Sequence, residues 1–139
     1  MDTITLRATL EIQDLIVRYA TGIDRRDWVL FRSCFTEECD ADYGPFGHWQ
    51  SASEITDWMI SAHEAYGNTL HRITNIAAYI EGASATCRSY VDVILQLRDG
   101  VHFHHGYGIY DDELVHSSEG WMIARRRYTV VKSGRNIER

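Results

Sequence analysis

Proline occurs once in 139 residues and cysteine three times. So little proline excludes a polyproline or collagen-like chain. Cys34, Cys39 and Cys87 form an odd set without a Cys-x-x-Cys spacing. That excludes a disulfide framework and a zinc ribbon, and reads as free thiols in a reducing compartment. No apolar run is long enough to cross a bilayer. The opening Met1-Asp2-Thr3-Ile4-Thr5 lacks a basic region followed by an apolar core, so neither a membrane partner nor a secretory leader is expected. Basic charge is also short: 14 Lys and Arg against 20 Asp and Glu give −6, and no basic run exceeds Arg125-Arg126-Arg127. A nucleic-acid partner is therefore not expected. Glycine-rich phosphate loops and nucleophile elbows are missing as well. A soluble, cytoplasmic protein is the expectation.

What is present is ordinary globular composition, 45% hydrophobic and 24% charged, of a length suited to one domain over residues 1–139. Ile12, Leu15, Ile16, Tyr19 and Ile23 repeat at helical spacing, predicting a helix from Leu6 to Gly22 with Gly22 as its stop signal. Asp27 caps a second helix through Trp28, Leu30, Phe31 and Phe35. Residues 39–50 predict a hairpin turned at Pro45. Ser53 is a weak cap for a third helix through Ile55, Trp58, Met59 and Ala62, which Gly67 ends. Stretches 69–81, 84–98, 101–115 and 121–132 are rich in β-branched and aromatic residues and are separated by Glu-Gly and Asp-Gly turns. They predict an antiparallel meander. The order predicts an α+β domain with three helices on one face of a curved sheet.

Seven histidines invite a metal reading. Alternation puts His102 and His104 on one strand face and His105 on the other, with Asp92 on the neighbouring strand, but no known ligand spacing is met. Half-exposed or pocket histidines are the preferred reading, with no metal. Asp24 stands just past the first helix, where the helix dipole is negative and a carboxylate is misplaced. It is either a loop aspartate paired with Arg25 and Arg26 or the partner of an imidazole. His71 opens the first long strand, and alternation places it on one face with Ile73, Asn75, Ala77 and Tyr79. That face suits a polar pocket lining or a strand end near solvent.

Ile12-Gln13-Asp14-Leu15-Ile16, Tyr19 and Ile23-Asp24-Arg25-Arg26-Asp27-Trp28 resemble the opening of the SnoaL-like branch of the nuclear-transport-factor-2-like superfamily. His71-Arg72-Ile73-Thr74-Asn75 resembles its HxxxN strand. Ala85–Tyr90, Gly108–Leu114 and Gly120–Arg126 extend the resemblance over residues 9–132. It implies a cone-shaped curved antiparallel sheet with three N-terminal helices and an apolar pocket. Scytalone dehydratase, bile acid 7α-dehydratase and hexachlorocyclohexane dehydrochlorinase types in this branch eliminate through an Asp–His dyad. Those positions match Asp24 and His71, and Tyr19 and Tyr43 match pocket tyrosines. The resemblance implies a cofactor-independent lyase of dehydratase type acting on a small hydroxylated cyclic, steroid-like or polyketide-like substrate. Two alternatives stay open. One is an isomerase or cyclase with an aspartate base; the other is a ligand-binding or association subunit in which Asp24 and His71 lie too far apart to bond. Candidate substrate contacts are Trp49, Trp58, Asn75, Tyr90, Asp92 and Phe103. His102 or His104 stands in for a second pocket histidine, and His116 takes a position where relatives carry arginine. A homo-oligomer, dimer or trimer, is expected.

Overall fold

A computed structural model describes residues 1–136. Helix α1 (Thr3–Asp24) begins where the Asp2 carboxylate accepts the Thr5 N–H at 2.7 Å. Its apolar stripe, Ile12, Leu15, Ile16, Tyr19 and Ile23, is almost wholly buried. Each such side chain contributes roughly 1.5–3 kcal/mol relative to exposure. The stop signal is not Gly22, which is helical. The helix closes two residues later: the Arg26 N–H bonds the Ile23 carbonyl at 3.0 Å and the Asp27 N–H bonds the Gly22 carbonyl at 2.8 Å. This is a Schellman closure in which Arg26, at φ 56°, takes the left-handed position usually given to glycine. The absent side chain of Gly22 serves packing instead. A Cβ there would lie 2.8 Å from the Phe31 backbone nitrogen.

Asp27 starts α2 (Trp28–Ser33), its carboxylate accepting the Leu30 N–H at 3.0 Å. Phe35 opens β1 (Phe35–Asp42) rather than extending this helix. A 3-10 turn at Gly44–Phe46 leads into β2 (His48–Ser51). Helix α3 (Ala52–His63) is capped by Ser51, not Ser53: Ser51 Oγ accepts the Glu54 N–H at 3.0 Å, while Glu54 accepts the Gln50 N–H at 2.9 Å. The helix ends at His63, and Gly67 lies within the next strand. Four long strands follow: β3 (Tyr66–Glu81), β4 (Ser84–Leu97), β5 (Phe103–Ser117) and β6 (Gly120–Arg135).

The sheet order is β2-β1-β6-β5-β4-β3. The β3–β6 meander is antiparallel, but β1 pairs with β6 in parallel, so the curved sheet is mixed rather than antiparallel throughout. Four alternating strands bring β6 back in the direction that β1 already has. Two register shifts matter for what faces the core. One falls between Thr74 and Ala77 in β3, where Asn75 adopts φ 53°. The other lies opposite Glu113 and Leu114, around Ala124 of β6. Each bulge moves the following residues to the other face.

Gly22→Ala tests the close approach of α1 and α2. Helix propensity alone favours alanine by about 1 kcal/mol. The backbone clash outweighs that, and a net loss of about 1–3 kcal/mol is expected in urea unfolding. An unchanged or raised midpoint would contradict the packing described.

Candidate active site

Asp24 is the last residue of α1, and the Schellman closure aims its carboxylate at the start of β3. Three donors meet it. Thr69 Oγ1 donates to Oδ1 at 2.9 Å, the His71 backbone N–H to Oδ2 at 2.8 Å, and His71 Nδ1 to Oδ1 at 2.7 Å. Arg26 braces the arrangement through Nη1 to Thr69 Oγ1 at 2.8 Å and Nη2 to the Gly67 carbonyl at 2.7 Å. Burial pushes the Asp24 carboxyl up, but the His71 and Thr69 hydrogen bonds outweigh it and hold the group below its usual 3.8. An ionised carboxylate only accepts, so the neutral His71 ring carries its proton on Nδ1 and keeps Nε2 as a bare lone pair.

The imidazole lines a cavity of about 300 Å³. Its walls are Trp58, Met59 and His63 of α3 and Val91, Val93 and Leu95 of β4, with Tyr128 and Phe46 opposite. The inner end is formed by tyrosines. Tyr19 and Tyr43 hydroxyls bond at 2.7 Å, and Tyr110 lies 3.4 Å from Tyr19. Burial pushes all three phenols up, so they stay protonated donors. Behind them Arg126 is wholly buried in a bidentate pair with Asp112, at 2.7 and 2.8 Å. Its guanidinium carbon lies 4.2 Å from the centre of the Tyr19 ring and 3.8 Å from that of Tyr110. Gly108 leaves the space that Tyr128 fills, since a Cβ there would come within 2.2 Å of that ring.

Residues 5–127 match the SnoaL-like domain. The chain belongs to the SnoaL-like domain family. An uncharacterized protein of Mycobacterium tuberculosis is 30% identical over 122 residues, covering 84% of this chain and 81% of that protein. Among solved structures, a provisionally named scytalone dehydratase from Novosphingobium aromaticivorans superposes with a TM-score of 0.84 at 20% identity, over 98% of this chain and 90% of that one. The hexachlorocyclohexane dehydrochlorinase LinA-type3 from Novosphingobium barchaimii gives 0.83 at 15% identity, over 95% and 92%. At these identities the two structures establish the shared fold.

In this SnoaL-like protein His71, Tyr19, Tyr43 and Trp58 line one cavity, and Asp24 is bonded to His71 without lining it. Trp49 stands behind it, its ring 4.4 Å from that of Trp58. His104 shares the inner face with Leu95 but sits at the mouth, its Nδ1 hydrogen-bonded with the Tyr66 hydroxyl at 2.7 Å. The other expected contacts lie elsewhere. The β3 bulge leaves Asn75 exposed and turns Ile76, Ala78 and Ile80 inward in place of Ala77 and Tyr79. Tyr90 and Asp92 occupy the outer face, where Asp92 pairs with Arg72 at 3.0 Å; Val91 and Val93 face the cavity. Phe103 lies on the face opposite His104, its ring 6.3 Å from His105. His116 is exposed beside Trp121 in a separate hollow between α1 and the start of β6. His102 stacks no ligand set with His104, because it folds back onto Asp99 at 2.5 Å. Among the described residues no group of three His, Cys, Asp or Glu side chains is placed to hold a metal. No helix there is long and apolar enough to cross a membrane. All three cysteines are free and buried.

Sequence reasoning missed Tyr66, Tyr110, Tyr128, the Arg126–Asp112 pair and His63. His63 had a signal, since it continues the buried stripe of Ile55 and Met59 at a four-residue spacing. Burial lowers it from 6.5 to about 4, against the opposing hydrogen bond to the Met59 carbonyl. Between those two values the unfolded chain holds a proton that the folded chain does not. Stability therefore rises with pH over that window and is lost on acidification, by up to about 1.4 kcal/mol per pH unit. Urea unfolding from pH 7 to 4 should show this slope, and His63→Phe should flatten it. The Asp24 contribution falls in a separate window, below pH 3.8. A slope unchanged in the variant would contradict a neutral, buried His63.

Proposed function

We propose that the protein is a lyase that eliminates water from a small hydroxylated cyclic ketone, with His71 as base and Asp24 as its orienting partner. The observation that carries this reading is the 2.7 Å Asp24–His71 contact beside an aromatic cavity. His71 Nε2 takes the proton from the carbon next to the carbonyl. The electron pair passes to the carbonyl oxygen, where the bonded Tyr19–Tyr43 hydroxyl pair, with one proton left over from its mutual bond, supplies a donor for the enolate. When the carbonyl re-forms, the β carbon–oxygen bond breaks. The departing hydroxide takes the proton held on His71, so water leaves and the neutral ring returns. Asp24 stabilises the imidazolium in between and fixes the ring tautomer. The same contact disfavours an association subunit with separated residues. Both Asp24 oxygens already accept hydrogen bonds, which disfavours the carboxylate itself as base. The dehydratase and dehydrochlorinase names of the two structural neighbours agree with elimination.

A panel of β-hydroxy cyclic ketones, read by mass spectrometry for water loss, tests the reading. His71→Gln and Asp24→Asn should each lower turnover by about 10²–10⁴-fold. A His71→Gln enzyme that stays active while Asp24→Asn is dead would instead make the aspartate the base, as in isomerisation. Turnover unchanged in both would remove the dyad from the reaction.

A further inference from the structure

The cavity beside His71 continues into a second hollow of about 450 Å³, and the two share Phe46, Tyr66, Val93, Leu95 and Tyr128 as walls. Strand register shows how they connect. His71, Val93, Gly106 and Ser133 form one row across β3, β4, β5 and β6, and Thr69, Leu95, His104 and Arg135 form the next row on the same face. Gly106 keeps the passage open, since a Cβ there would lie 3.2 Å from Val93 Cγ1 and 3.9 Å from the Tyr128 hydroxyl. Three strand spacings and two residues of rise put the His71 and Arg135 Cα atoms roughly 16 Å apart along the sheet. The two side chains take up much of that interval, and a two-ring compound spans the rest.

Charge distinguishes this mouth from the rest of the sheet. No Asp or Glu lines either hollow, in a chain that has 20 of them and a formal charge of −6. Arg72, Arg88, Arg125 and Arg126 each have a carboxylate partner. Arg135 has none among the described residues. Opposite-charge pairs across strands are favourable, yet the residue opposite Arg135 is His104, whose Nδ1 is held by the Tyr66 hydroxyl at 2.7 Å.

We infer that Arg135 and His104 form an anion subsite at the cavity mouth, and that the substrate carries a carboxylate there while its hydroxylated ring lies at His71. The fate of that ring rests on the elimination reading; the binding of the anion stands separately. A guanidinium fork matches a carboxylate with two parallel hydrogen bonds. One arginine suits this singly charged group better than a doubly charged phosphate, which calls for further cations. An ion pair at an exposed mouth adds only modest affinity. Its effect is to fix the ring against the base from a distance, where binding energy serves orientation.

The test uses 2-naphthylacetate and 2-naphthylacetamide, nearly equal in shape and different in charge. In ¹⁵N-labelled wild-type protein both should move the His71 ring resonances, which places the naphthalene in the cavity. The carboxylate should move the Arg135 Nε–H cross-peak well beyond any shift given by the amide. Calorimetry at low salt should show roughly three- to fivefold tighter binding of the carboxylate, a ratio that shrinks as salt is added. Arg135→Gln should bring the ratio to about one. The cross-peak needs no variant, so it decides the matter even if the substitution disturbs the strand end. An Arg135 cross-peak unmoved by bound carboxylate, equal binding of the two compounds in the wild type, a ratio retained in Arg135→Gln, or no binding of either compound would overturn the subsite. A failed elimination reading would show instead as ketone turnover unaffected by Asp24→Asn, with the carboxylate preference intact.

Discussion

The site depends on a carboxylate held where a helix alone would not keep it. Asp24 ends α1 against the negative pole of the helix dipole, an unfavourable place for an anion. Three donors from the first residues of β3 offset that cost, and Arg26 ties the same strand to the helix end. The helix terminus and the strand start therefore lock each other. The left-handed Arg26 is part of this lock: it turns the chain while sending its guanidinium back to Thr69 and Gly67. Gly22 contributes by letting α2 close on α1, so that the helical lid sits down on the sheet.

From that anchor the cavity acquires two chemically distinct ends. His71 lies at one end, and the Tyr43–Tyr19–Tyr110 chain of hydrogen-bonded hydroxyls lies at the other. The buried Arg126–Asp112 pair lies behind the donors and stacks its guanidinium against two of their rings. Such a pair adds little net stability, because desolvation consumes most of the attraction, but losing one partner would strand a buried charge. Its value here is in fixing the tyrosine rings. On the proposed reading, a substrate between the two ends meets the His71 base on one side and a phenol donor on the other.

Much of this was legible in the chain. The stripe from Ile12 to Ile23 specified α1, Asp27 specified the α2 cap, and the glycine-bearing turns delimited the long strands. Asp24 and His71 stood out by position and by resemblance. What was not legible was strand phase. Asn75, Tyr90, Asp92 and Phe103 were assigned to a pocket wall by alternation or pattern, yet in β3 a bulge reverses the alternation after Thr74 and exposes Asn75. The bulge near Ala124 brings Arg126 inward and sends Arg125 out, which no period-two pattern could show. The parallel β1–β6 pairing joins residues nearly ninety positions apart, as Phe35 with Ile123, and depends on global topology.

The central claim is that Asp24 holds the His71 ring with its proton on Nδ1 and Nε2 bare. Imidazole ¹⁵N shifts of His71 in the wild-type protein and in Asp24→Asn, recorded above the titration range, measure that directly. The account predicts a single Nδ1–H tautomer in the wild type and a mixture, or the opposite tautomer, in the variant. Identical tautomer populations in the two proteins would contradict it.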